Sequence, residues 1–147
     1  LERFWGPEQW PATFTRHEVY PGGESHYYMT GPNGEMSRGW FKFLRVDPYA
    51  LMEMEDGFAD EQGNRNAAMP TMRMSFRFER TKQGARFTGV TYFTSLEAME
   101  QLVKMGMIEG TKSAMGQIDA VLADLKAFAA DRTVDAQILS DTQVRIS

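Results

Sequence analysis

The sequence predicts one α+β domain in which a curved antiparallel sheet closes on a long C-terminal helix. Three observations carry this expectation. Met72, Met74, Phe76 and Phe78 alternate with Arg73, Ser75, Arg77 and Glu79, the period of a strand with one buried face. Gly31-Pro32-Asn33-Gly34 parts two strand-like segments with the residues that tight hairpins require. From Ser95 to Phe128 the apolar residues recur at helical spacing instead.

Taken in order, Leu1 to Trp5 reads as the last turn of a helix stopped by Gly6-Pro7. Ala12 to Tyr20 is a loosely alternating strand that runs into the turn Pro21-Gly22-Gly23, and Glu24 to Thr30 is the next strand. After the hairpin, in which Asn33-Gly34 is expected to supply positive φ angles, Arg38 to Val46 forms a third strand. Asp47-Pro48 turns the chain into Leu51 to Asp56, where Met52 and Met54 alternate with Glu53 and Glu55. Gly57 to Pro70 is a polar loop, the strand around Met72 to Phe78 follows, and Lys82-Gln83-Gly84 turns again. Arg86 to Phe93 completes six strands, with Phe87, Gly89, Thr91 and Phe93 on one face. Gly89 leaves a gap there, either a bend in the sheet or room for a ligand.

Ser95 is placed to cap a helix whose first turn carries Glu97 at its positive end. Leu96, Met99, Leu102 and Val103 form one stripe. After a bend at Gly106 a second stripe runs through Met107, Ile108, Thr111, Ala114, Met115, Ile118, Leu122, Leu125 and Phe128, read as one long helix. Gly110, Ala114 and Gly116 are small where a helix lying on a sheet normally carries bulk, and each glycine costs about 1 kcal/mol relative to alanine. Close backbone packing and a ligand cavity both account for them.

A chain of 147 residues, 42% of them hydrophobic, is the size of one domain with one core. Its net charge of −4 and lack of a basic run argue against a nucleic-acid surface, and no apolar run reaches membrane-spanning length. With no cysteine there are no disulfides or thiolate metal sites, and His17 and His26 alone cannot build a zinc site, so neither metal nor cofactor is expected. A reducing cytoplasm fits this composition. Eleven methionines and ten phenylalanines supply apolar, deformable surface.

Phe4-Trp5-Gly6-Pro7, the strand ending in Pro21-Gly22-Gly23, the hairpin Met29 to Gly34 and the run Lys104 to Gly110 before the last helix, in that order and spacing, resemble the AHSA-type branch of the START-like, or SRPBCC, superfamily. That branch is named for activators of a heat-shock chaperone ATPase. The resemblance covers Leu1 to about Phe128. It implies the helix-grip fold (START-like, Bet-v-like), a curved sheet around a C-terminal helix that encloses a hydrophobic cavity. It also implies an opening strand and first helix that this sequence lacks at its start, while Gln143 to Ser147 looks like such a strand placed last. The expected division is therefore residues 1–130 as the START-like domain and 131–147 as linker plus strand, the opening strand of a tandem second domain beginning near Asp135. In the alternative, Thr142 to Ser147 fills the vacant edge of the sheet, within the chain or by exchange in a homodimer.

The resemblance leaves function among three classes, because the superfamily's members bind lipids, polyketides or other apolar molecules, act as cyclases or hydrolases, or dock on a chaperone. Binding of a hydrophobic small molecule of lipid, polyketide or aromatic type ranks first, an enzyme second, chaperone contact third. The expected wall of the cavity is Phe41, Met54, Met74, Phe76, Phe87, Met107, Thr111, Ala114 and Ile118. For catalysis only His26 and Glu109 stand out. A strand histidine on the exposed face and a solvated helix glutamate are the commoner cases, so no catalytic residue is assigned.

Overall fold

Each turn joins neighbouring strands, so the sheet is built in chain order. The computed structural model describes residues 1–131, 136–140 and 143–146, with side chains as far as residue 126. Strands β1 (Ala12–His17), β2 (Glu24–Thr30), β3 (Met36–Asp47), β4 (Leu51–Ala59), β5 (Met72–Thr81) and β6 (Gly84–Phe93) form one antiparallel meander, β1-β2-β3-β4-β5-β6. Helices α1 (Leu96–Lys104), α2 (Met107–Gly116) and α3 (Ile118–Asp131) follow, then β7 (Ala136–Ser140) and β8 (Gln143–Ile146). This is the α+β helix-grip arrangement. Strand β1 stops at His17 rather than Tyr20, and β4 runs on to Ala59, which shortens the polar loop to residues 60–71.

The predicted phase of β5 holds. Met72, Met74 and Phe76 are buried while Arg73, Arg77 and Glu79 are exposed; Phe78, at the strand's far end, is partly exposed and packs on Phe87 with ring centroids 5.1 Å apart. Register carries this inward set across the sheet, pairing Met54 with Met74, Asp56 with Met72 and Phe76 with Gly89. The β2–β3 turn differs in detail from the expectation. Gly34 alone takes a positive φ, +84°, because the loop spans Gly31 to Glu35, whose backbone N–H and C=O bond at 2.8 Å; Asn33 keeps a negative φ and donates its backbone N–H to the Glu35 carboxylate.

Phe41, Phe43 and Met54 are inaccessible to solvent, and burial of each contributes about 1.5–3 kcal/mol. Tyr27, Met74 and Phe76 complete this core, and the element that covers it comes from the other end of the chain. Trp5 lies edge-on to Phe41, ring centroids 4.7 Å apart, and to Tyr27 at 6.0 Å. The N-terminal segment is tied in turn to the helices. Gln117 Nε2 donates to the Gly6 carbonyl at 2.6 Å, the Glu8 backbone N–H donates to Ser113 Oγ at 3.2 Å, and Arg3 pairs with Asp124 at 2.6 Å.

Ser95 caps α1 as expected, its hydroxyl accepting from the Ala98 N–H, and Gly106 takes a left-handed φ of +90° where the chain bends into α2. Two helical expectations are corrected. The buried stripe of α1 is Ala98 and Leu102, leaving Leu96 67% exposed, and the strand that the helix packs on is β6. The single long helix is two, broken at Gln117, and the break turns Leu122 and Leu125 of α3 half out to solvent. Of the places expected for the tail strand, the vacant edge within the chain is corrected. Strand β8 forms, but it pairs antiparallel with β7 as a separate two-stranded sheet and does not extend the edge at β1; Thr142 and Ser147 lie outside the described residues. No helix among the described residues is long and apolar enough to cross a membrane.

Candidate functional site

Between the concave face of β4–β6 and helix α2 lies a cavity of about 350 Å³. That volume falls in the range of pockets that take drug-sized ligands, roughly 300–1,000 Å³. Its sheet wall is Met72, Met74, Phe76, Phe87, Gly89 and Thr91; its helix wall is Met107, Gly110, Thr111, Ala114 and Met115; Trp5 and Pro7 of the N-terminal segment close one side. The glycines leave real space. A Cβ on Gly89 would come no nearer than 3.6 Å to Phe76, and one on Gly110 no nearer than 3.6 Å to Pro7, so backbone approach does not demand either glycine.

One pole of this apolar cavity is ionisable. Asp56 on β4 is in phase with Met54, points inward and is only 6% exposed. The Tyr27 hydroxyl donates to its Oδ1 at 3.2 Å. Two glycines make the reach possible, each in a different layer. Gly39 stands opposite Tyr27 on the intervening strand, and a Cβ there would collide with the phenol ring, so the ring lies across β3 toward β4. On the outer face Gly57 sits under Trp40, whose Nε1–H donates to the Phe58 carbonyl at 3.1 Å and whose ring carries the Arg65 guanidinium at 3.9 Å. Trp40 is thereby a clamp on the convex side and not part of the cavity.

Burial pushes the Asp56 carboxyl up to about 7, opposed by the hydrogen bonds from Tyr27 and the Gly57 backbone. Burial and then the neighbouring Asp56 charge push the Tyr27 phenol well above its ordinary value, with a smaller opposing contribution from Trp5. Among the described residues nothing cationic lines the cavity: the other side chains of its wall with polar atoms are Thr91, Thr111 and Trp5, whose indole bonds to Tyr27.

Of the expected wall, Met74, Phe76, Phe87, Met107, Thr111 and Ala114 do line the cavity. Phe41 and Met54 do not; they are sealed in the core beneath Trp5 and Tyr27. Ile118 falls outside because it begins α3 beyond the break at Gln117. His26 is on the exposed side of β2, 3.6 Å from Glu24, and Glu109 is exposed on α2. One histidine beside a hydroxyl does occur, His17 Nδ1 at 2.7 Å from Ser25 Oγ, yet Ser25 is fully buried and outside the cavity. That contact satisfies a buried hydroxyl. The polar pair Tyr27 and Asp56 is missed from sequence, as are the lining residues Trp5, Pro7, Met29, Phe58, Met72 and Met115. A carboxylate two positions after Met54, in phase with the buried face, was the available signal for Asp56.

The family model described as Activator of Hsp90 ATPase homolog 1-like protein matches residues 1–123. The chain belongs to the AHSA1 family. Its AHSA1 domain is similar to the solution structure of a protein from Arthrobacter aurescens, at 42% identity over 84% of this chain and 72% of that one, with a TM-score of 0.80. Protein Ms6760 from Mycobacterium smegmatis is 42% identical over 82% of this chain and 74% of its own, TM-score 0.74. An AHSA1 protein from Silicibacter pomeroyi, 22% identical over 84% of this chain and 81% of that one with a TM-score of 0.65, shares the fold. No curated protein matches the chain. The AHSA1 domain is of the SRPBCC type, a fold that commonly holds hydrophobic ligands.

Proposed function

We propose that this AHSA1-family protein binds a hydrophobic small molecule of lipid, polyketide or aromatic type in the cavity between β4–β6 and α2. The observation that carries this reading is that both facing walls are built from small residues, Gly89 and Thr91 on the sheet and Gly110 and Ala114 on the helix, where packing requires neither glycine. Leaving such a volume empty forfeits dispersion contacts along its whole lining, and a ligand of matching shape restores them. Methionines 72, 74, 107 and 115 line it with flexible thioether chains that adapt to varied apolar outlines. Met74, Phe76, Phe87, Met107, Thr111 and Ala114 are the contact residues of this proposal. Chaperone contact rests on the family description alone and makes no use of the cavity.

The test is a titration with p-methylbiphenyl followed by quenching of tryptophan fluorescence, since Trp5 is in the wall. Saturable binding is expected, and Gly110→Leu and Ala114→Leu, which fill the space, should each weaken it about tenfold or more. Unchanged affinity in both variants would assign the small residues to packing.

A further inference from the structure

The cavity has a feature that shape alone leaves unused. Asp56 is a buried carboxyl whose hydrogen-bond partners among the described residues are the Tyr27 hydroxyl and the Gly57 backbone N–H. Among the described residues no Lys, Arg or His lines the cavity to pair with it. A carboxyl taken out of water costs several kcal/mol unless its oxygens are satisfied, and a hydrophobic residue would serve the core better if packing were the only requirement. The Tyr27 proton is already committed to Asp56 Oδ1, so above about pH 7, where the carboxyl is ionised, what the pair presents to the cavity is lone pairs.

We propose that Asp56, held by Tyr27, is the polar anchor of the site and selects an apolar ligand that carries a hydroxyl or N–H group at one end. This inference rests on the binding reading above and deepens it. The ligand's O–H or N–H donates to the carboxyl, a hydrogen bond to a charged or partly charged acceptor of the stronger kind. The apolar body lies along Met72, Met74 and Phe76 toward Gly110 and Ala114. With the carboxyl ionised, anionic heads such as fatty-acid carboxylates are rejected at this pole by charge repulsion, and acceptor-only groups by the facing lone pairs. The flanking rings are placed to hold the anchor still: Trp5 meets Tyr27 edge-on, and Gly39 gives the phenol its seat.

Three ligands of one shape separate the possibilities: p-methylbiphenyl, p-methoxybiphenyl and p-phenylphenol. In a cavity without an acceptor, exchanging methyl for hydroxyl weakens binding, because the hydroxyl leaves water without a partner. At about pH 8.5, where the Asp56 carboxyl is ionised, the wild-type protein is expected to bind p-phenylphenol at least as tightly as p-methylbiphenyl and more tightly than p-methoxybiphenyl. In Asp56→Leu the phenol-to-methyl affinity ratio should drop about tenfold or more. The same ratio in both proteins would overturn the anchor while leaving the cavity reading in place. Should Asp56→Leu fail to fold, the wild-type series decides: p-phenylphenol bound about tenfold more weakly than p-methylbiphenyl overturns the anchor. If none of the three binds, the binding reading falls and the anchor with it.

Discussion

Replacing Asp56 by Asn tests the site through stability, with no ligand required. Asn keeps the shape and an oxygen to accept from Tyr27 but carries no titratable proton, so it mimics the protonated carboxyl at every pH. The folded-state carboxyl sits at about 7, against 3.8 for an unperturbed aspartate, a raise of about 3 pH units. The native state therefore holds its proton where the unfolded chain has released it. Stability from this group is fully present below about pH 4 and is lost as pH rises toward about 7, by as much as about 4 kcal/mol at 1.36 kcal/mol per unit. Glu18, Glu24 and Glu35, whose acidities are shifted the opposite way, gain stability across the acid range, but both proteins share them and they cancel in the difference. Urea unfolding at intervals between about pH 4 and about pH 8 measures that difference directly. Asp56→Asn should overtake wild type with rising pH and remain the more stable protein above about pH 7. Parallel profiles would refute the argument, since they would mean that the carboxyl is hydrated or compensated in the native state.

Gly39→Ala should lower stability by about 1–3 kcal/mol in thermal or urea melts, because the new methyl collides with the Tyr27 ring that crosses β3. Gln117→Ala removes the 2.6 Å bond to the Gly6 carbonyl and should cost about 1 kcal/mol, with faster amide exchange in residues 1–7 as the sharper readout. Arg65→Ala takes the guanidinium from the Trp40 face and from Glu24, 2.7 Å away; a loss of about 1 kcal/mol, largely insensitive to added salt, would mark the stacking as the main part.

The strands were legible where burial is one-sided. Alternation through Met52 and Met54, and again from Met72 to Phe76, records a sheet with one apolar face, and Ser95 and Gly106 mark helix start and bend by local chemistry that tertiary packing does not override. The long helical stripe misled for a physical reason. A 3.6-residue period states that one face is apolar, not that a continuous helix buries it, and the break at Gln117 coincides with a side-chain bond to the carbonyl of Gly6, more than a hundred residues away in sequence. The same long-range contact hid the role of Trp5, which covers the face that the helix was expected to cover. Six wall residues were found because methionines, aromatics and small residues in phase point inward. Phe41 and Met54 share that phase, and only depth within the core separates them from the wall.

That separation explains where the cavity lies and why its polar pole is at one edge. Toward β2 and β3 the concave face is filled by rings: Trp5, Phe14, Tyr27, Phe41 and Phe43 interlock with centroids 4.7 to 6.4 Å apart. Interiors packed at that density transmit strain and resist rearrangement. Toward β6 the inward side chains shrink to Gly89 and Thr91, and α2 answers with Gly110, Thr111 and Ala114. Asp56 stands on β4, where the filled half meets the empty one. Its hydrogen-bond donor, Tyr27, belongs to the rigid half, while the space it faces is walled by the small residues of the other half. A carboxyl placed deeper would be sealed with Phe41 and unable to meet a ligand; one placed farther toward β6 would lose Tyr27 and be free to turn away. The boundary position satisfies both requirements, which is why orientation of a ligand, and not only its volume, is the property that substitutions at Asp56 and Gly39 should change.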